Sequence, residues 1–328
     1  MKTSVVSAEL AQTVPARGDP LDCPDPIRPR VITRDGVQLA VRDHGPRSAG
    51  HTVVFLHGFC LTHASWARHI QYLVRRYGDG IRVIAYDHRG HGDSAGAPMN
   101  TYRIDQLATD LADVLLALNV TGPVTLVGHS MGGMTALAYL GRPLVDQPVE
   151  PDGLVLVATA AGKLVQRGLG RLLATAHATT ALFRLVDHAP HQAFKALAGP
   201  VLAALNRQGD VGNAQRATLV ALAAAALATT PVSTAVGFLP ALYRYDQYQT
   251  LGSIRAHTVI VSGGADVLTP PAHSLDLAAA IPGATHVHIP HAGHMLTHEA
   301  SPIINEAIGR TLTIPYGMGR FAAAGNGS

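Results

Sequence analysis

Residues 124–140 constrain this chain more than any other stretch. The apolar run Val124-Thr125-Leu126-Val127 leads directly into Gly128-His129-Ser130-Met131-Gly132, and a helical pattern follows from Met134 to Leu140. A serine on so sharp a strand-to-helix turn takes strained backbone angles. Side chains two positions to either side of it would collide, so glycine is required at 128 and 132. The helix that follows points its N-terminus at the serine and favours negative charge developing there. The segment therefore predicts a buried strand, a tight turn and a helix, with Ser130 as the candidate nucleophile.

The same rhythm extends along the chain. Short apolar runs at residues 52–56, 82–86, 124–127, 154–157, 258–261 and 286–289 read as strands buried on both faces. Asp35-Gly36 between two β-branched or aliphatic stretches reads as a hairpin turn. Helices fall between the strands. In the clearest, Ile104, Leu107, Ala108, Leu111, Leu115 and Leu118 share one face. Others are expected near His63, after Ser130, after Pro271 and after Glu299. Strands alternating with helices imply an α/β fold with a mostly parallel central sheet flanked by helices.

Residues 161–250 break the alternation, with helical patterns and no strand. So long a segment is not an ordinary loop. It reads as a helical cap inserted after the sixth strand. The expected organisation is a flexible N-terminal arm over residues 1–30, rich in proline, then a core built from residues 31–160 and 251–313. The cap lies between the two core pieces, and a flexible tail covers residues 314–328.

Composition narrows the function. Hydrophobic residues make up 47% of the 328-residue chain and charged residues 14%, enough for a sizeable core and too little charge for disorder. The net charge of +3 is scattered, which argues against a nucleic-acid partner. No apolar run is long enough for an integral membrane segment, and the first 30 residues lack the apolar stretch of a signal peptide. Cys23 and Cys60 have no metal spacing and are expected to be free thiols in a reducing, cytoplasmic setting.

A serine alcohol needs a base, and the base needs an orienting acid. Asp266 follows the strand at 258–261 through Gly263-Gly264-Ala265, which puts a carboxylate at a strand end. The strand at 286–289 runs into Pro290-His291-Ala292-Gly293-His294. His294 is the first choice as base, because Gly293 lets the loop turn inward, and His291 is the second. Oxyanion donors are expected from the amides of Met131 and Phe59, the latter in His57-Gly58-Phe59 after the first long strand. The chain has 18 histidines, five of them between 286 and 298, so a zinc site is the rival reading. It lacks H-E-x-x-H or Cys/His spacing. His286 and His288 are expected on one face of the sheet.

Taken together, these pieces resemble the α/β-hydrolase superfamily over about residues 31–313. His57-Gly58-Phe59, then residues 87–94 as D-x-R-G-x-G-x-S, then Gly128 to Gly133, Asp266 and Gly293-His294 fall in that family's order. Within it, His57-Gly58-Phe59, Trp66 and Gly-His-Ser-Met-Gly-Gly are similar to the small esterases and cofactor-free haloperoxidases (perhydrolases). Cys60 departs from that branch, where proline is common. Serine rather than aspartate at 130 argues against epoxide hydrolases and haloalkane dehalogenases. The resemblance implies that the 87–94 loop, with Asp87 and Asp93, shapes a turn, and that the cap lies over the active site. It implies two-step acyl transfer by Ser130, His294 and Asp266 on a small-molecule substrate, with no metal or organic cofactor. The expected substrate is a neutral, hydrophobic carboxylic ester. The alternatives are a C–C bond hydrolase, lipase, perhydrolase or acyltransferase, or a receptor that keeps the fold without turnover.

Overall fold

The computed structural model describes residues 5–7, 26–167 and 230–312. Nine strands form one sheet: β1 (Val5–Ser7), β2 (Arg30–Ile32), β3 (Gln38–His44), β4 (His51–Leu56), β5 (Ile81–Tyr86), β6 (Val124–His129), β7 (Gly153–Val157), β8 (His257–Gly263) and β9 (Thr285–Ile289). Their order across the sheet is β1-β9-β8-β7-β6-β4-β5-β3-β2. Pairings from β5 through to β1 are parallel, whereas β3 runs antiparallel to β5 and to β2. The mostly parallel α/β sheet is thus as the sequence implies. Asp35-Gly36 turns the β2–β3 hairpin, with Gly36 at φ 85°.

We number the described helices α1 (Ala67–Tyr77), α2 (Ile104–Ala117), α3 (Met131–Leu140), α4 (Val232–Arg244), α5 (Tyr248–Leu251), α6 (Pro271–Ala280), α7 (Leu296–Glu299) and α8 (Ser301–Arg310). Side chains alternate across each strand, so a strand apolar at every position must be covered on both faces. Val54 and Leu56 of β4 pack into one cluster with Leu107, Leu111, Leu137 and Leu277 from α2, α3 and α6. Val53 and Phe55 of the same strand pack into the other, with Ile70 and Leu73 of α1 and Ile304 and Ile308 of α8.

The chain order reverses direction at β4. It steps outward to β5 and then returns to β6 on the other side. Ligand sites in open parallel sheets form at such a switch point, beyond the carboxyl ends of the strands. Here those ends carry Phe59 and Ser130.

One expectation is corrected. The N-terminal arm is not wholly outside the fold, because Val5–Ser7 pairs in parallel with His286–His288 and Ile27 exchanges backbone hydrogen bonds with Asp43. The additional strand changes only the numbering: the insertion follows the strand at 154–157 as expected, which is β7 here. Most of the expected cap, residues 168–229, lies outside the described residues, as do Cys23 and the tail from residue 313. The described end of the insertion is α4 and α5. Among the described residues no helix is long and apolar enough to cross a membrane.

Candidate active site

Ser130 sits between β6 and α3 with φ 51° and ψ −117°. A β-carbon in this region strains the backbone, and the surrounding bonds hold it there. Its N–H donates to the Val157 carbonyl at 2.9 Å, and its own carbonyl accepts from Met134 N at 3.1 Å and Thr159 Oγ1 at 2.7 Å. The glycine requirement is literal. A β-carbon on Gly128 would lie 2.5–2.6 Å from the backbone of Gly132 and Gly133, and one on Gly132 would strike the Leu56 carbonyl. The half-buried Ser130 hydroxyl has no hydrogen-bond partner among the described residues.

Asp266 and His294 meet as the strand-end argument requires. His294 Nδ1 donates to Asp266 Oδ2 at 2.8 Å, and both side chains are buried. Asp266 Oδ1 accepts from the amides of Leu268 and Thr269 at 2.8 and 2.9 Å. Thr269 Oγ1 lies 2.8 Å from both Asp266 Oδ2 and the Ala158 carbonyl, and donates to one at a time. Burial raises the Asp266 carboxyl, but the charge and hydrogen bond of His294 and the bonds from Thr269 outweigh it, leaving it below the ordinary carboxylate value. With Nδ1–H committed to Asp266, a neutral His294 presents Nε2 as a lone-pair acceptor. His291, the second choice, is exposed on the same loop.

Thr269 and Glu299 escaped the sequence reading. The Glu299 carboxylate accepts from the amides on either side of His294, Gly293 N at 2.6 Å and Met295 N at 3.2 Å.

The amides of Phe59 and Met131 have no hydrogen-bond partner among the described residues. Met131 opens α3, where first-turn amides have no partner within the helix. The loop carrying Phe59 is fastened to the 87–94 loop by neutral imidazoles. His57 Nδ1–H donates to Gly58 O at 2.8 Å, and its Nε2 accepts from His88 N at 2.9 Å. His91 Nε2 accepts from Cys60 N at 3.2 Å. Burial pushes His57 down to about 4 and His91 to about 3, so both stay uncharged. Cys60 is a buried thiol pushed up by burial to about 12, which leaves it inert.

The 87–94 loop shapes the turn. Asp87 accepts from His63 N, His63 Nδ1 and Asp93 N at 2.7, 2.8 and 2.9 Å, and Asp93 pairs with Arg42 at the surface. His286 and His288 do share a face, both within 3.0 Å of Ser262 Oγ. Among the described residues no group of three or more His, Cys, Asp or Glu side chains is disposed to hold a metal ion.

A doubly flanked parallel sheet with a strained serine after β6, and a carboxylate and a histidine on the loops after β8 and β9, defines an α/β hydrolase. The α/β-hydrolase-fold family model matches residues 51–301, and the chain belongs to that family. It is 41% identical over 114 residues to a non-heme chloroperoxidase of Kitasatospora aureofaciens, covering 35% of this chain and 38% of that protein. It is 38% identical over 112 residues to a bifunctional esterase/perhydrolase of Acinetobacter calcoaceticus, covering 34% of this chain and 38% of the relative. The matches thus span about two-fifths of these relatives' lengths. Among solved structures, an esterase from Exiguobacterium antarcticum aligns with a TM-score of 0.65 at 22% identity, covering 86% of this chain and 97% of the other. At that identity the likeness speaks for the fold.

Proposed function

We propose that this protein is a serine hydrolase that cleaves neutral, hydrophobic carboxylic esters through an acyl-enzyme on Ser130. The observation that carries the reading is the buried His294–Asp266 hydrogen bond, which leaves Nε2 of His294 free of Asp266 and able to act as a base, on a loop that His129, next to Ser130, touches at the His294 carbonyl. In this reading His294 takes the Ser130 proton as Oγ attacks the ester carbonyl carbon. The Phe59 and Met131 amides hold the oxyanion, and Asp266 holds the imidazolium in place. The alcohol leaves with the proton from His294. Water then repeats the sequence on the acyl-enzyme and releases the acid. The apolar preference rests on α4, whose buried Phe238 ring lies 6.3 Å from the Phe59 ring. Rings so close to the proposed oxyanion donor favour uncharged acyl groups.

The chloroperoxidase and esterase/perhydrolase relatives favour a second reading, in which hydrogen peroxide replaces water and a peracid is released.

The test is active-site labelling with turnover. A fluorophosphonate is expected to modify Ser130 alone, and Ser130→Ala to abolish both labelling and hydrolysis of short p-nitrophenyl esters. Kinetics should favour neutral aliphatic acyl groups over dicarboxylates. Label on another residue refutes the assignment, and rapid labelling without turnover of any ester points to a binding protein. Peracid formation on adding peroxide separates the two enzymatic readings.

A further inference from the structure

His129 precedes the proposed nucleophile and plays no part in the chemistry above, yet it is fully buried at the carboxyl end of β6. Its Nε2 lies 2.9 Å from the main-chain carbonyl oxygen of His294. A carbonyl only accepts, so Nε2 carries the proton and Nδ1 is a bare lone pair. Nδ1 has no hydrogen-bond partner, and it faces Gly58, where an added β-carbon would sit 2.8 Å from it. The His129 ring is 4.9 Å from the His294 ring and meets Trp66 edge-on at 6.5 Å. One imidazole thus touches the backbone of the His294 loop on one side and of the Phe59 loop on the other. It is joined by a peptide bond to Ser130.

We propose that His129 is a positioning residue that sets the placement of His294 relative to Ser130 by donating a hydrogen bond from Nε2–H to the His294 carbonyl, while its ring spaces the Phe59 loop from the same point. The inference rests on the serine-hydrolase reading. Three elements carry the site, and each is otherwise held from its own side: Ser130 by Val157 and Thr159, His294 by Asp266 and Glu299, Phe59 by the 87–94 loop. Among the described residues, His129 ties the first two directly and packs against the third. Misplacement by about 1 Å costs on the order of 100-fold in rate, so a single bond that fixes the base beside the nucleophile has large leverage. Burial, and then the neighbouring His294, push His129 down to about 3, with Asp266 and His298 the other charged or titratable groups that bear on it. It therefore works as a fixed neutral donor and takes no part in the proton transfers.

Two substitutions separate donor from bulk. His129→Phe keeps a ring and removes the donor, leaving a buried carbonyl unpaired. His129→Gln returns an N–H at the position of Nε2. His129→Phe is expected to lower kcat for p-nitrophenyl esters by about 10- to 100-fold with KM within about 3-fold, and to slow fluorophosphonate labelling of Ser130 in parallel. His129→Gln is expected to recover most of that loss and to retain the wild-type acid limb of the kcat/KM profile. In the wild-type protein, long-range proton–nitrogen NMR of the imidazoles should show His129 as the Nε2–H tautomer, unchanged from pH 8 to pH 5. This measurement decides the matter if His129→Phe does not fold.

A folded His129→Phe with wild-type kcat, failure of His129→Gln to recover activity, or an Nδ1–H tautomer overturns the proposal. Loss of the acid limb in His129→Gln would make His129 itself the base and overturn it as well. Absence of labelling and turnover in the wild-type protein instead overturns the underlying reading.

Discussion

Asp266 has two oxygens and four donors within reach of them: two amides, His294, and the Thr269 hydroxyl shared with the Ala158 carbonyl. A carboxylate so saturated cannot rotate to release the imidazole, and its replacement by an amide puts donors where acceptors are needed. Asp266→Asn is expected to keep the native near-ultraviolet circular dichroism and lose on the order of 10⁴-fold in kcat, because the proper tautomer of His294 is no longer enforced. The control is Asp87→Asn, whose carboxylate serves the turn after β5 and His63. If Asp87→Asn suffers the catalytic loss and Asp266→Asn does not, the acid is misassigned. At this scale the meeting of Asp266 with His294 was legible, because each sits on a short loop after an apolar strand. Thr269 and Glu299 were not. Threonine three residues after an aspartate has the spacing of any side-chain-capped turn. An acid five residues past His294 gives no sign that it reaches back to two amides.

The antiparallel β3 is fixed to the parallel part of the sheet by a buried ion pair. Arg82 of β5 donates Nε to Asp43 Oδ1 at 2.9 Å and Nη2 to Asp43 Oδ2 at 2.7 Å, with a further bond from Nη2 to the Leu118 carbonyl at 3.1 Å. The side chains are 2% and 4% exposed, so neither charge can turn to water if its partner is lost. Asp43→Ala is expected to lower unfolding free energy by about 3–5 kcal/mol in urea titrations, the penalty for a stranded buried cation. Asp43→Leu combined with Arg82→Met should recover most of it, since a packed apolar pair is nearly neutral in such sites. A single-variant loss below about 1 kcal/mol would show that water reaches Arg82. The elements themselves were largely readable. Six apolar runs and one Asp-Gly turn mark eight of the nine strands, because strands buried on both faces cannot hide their hydrophobicity. Val5–Ser7 was missed for the opposite reason. Three residues carry no period, and their pairing is set by β9, some 280 residues away in sequence.

Across the whole molecule, the interior is unusually rich in imidazole. Burial pushes His51 and His57 to about 4, and His91 and His129 to about 3. It also lowers His69, His88, His273 and His286. Both ring nitrogens of His88 and of His273 lack partners, so a second proton there would find no acceptor. The unfolded chain protonates each of these rings near pH 6.5, whereas the folded chain resists to lower pH, down to about 4 for His51 and His57 and about 3 for His91 and His129. Between those values the unfolded state binds more protons, so unfolding free energy rises with pH there and falls on acidification. The stabilisation is complete above about pH 6.5 and is lost as pH drops through the native values, at about 1.4 kcal/mol per pH unit for each such histidine. Urea midpoints are therefore expected to be nearly level from pH 8 to 7 and to drop steeply from pH 6 to 4.5. Unfolding at pH 5 should take up several protons, counted by potentiometry or from buffer-dependent calorimetry. His129→Gln removes one of these rings and should lessen the slope by one proton's worth while ester hydrolysis persists. Stability that is flat or rising from pH 7 to pH 5 would mean that the buried imidazoles already have access to solvent, and the neutral tautomers assigned to His57, His91 and His129 would have to be abandoned.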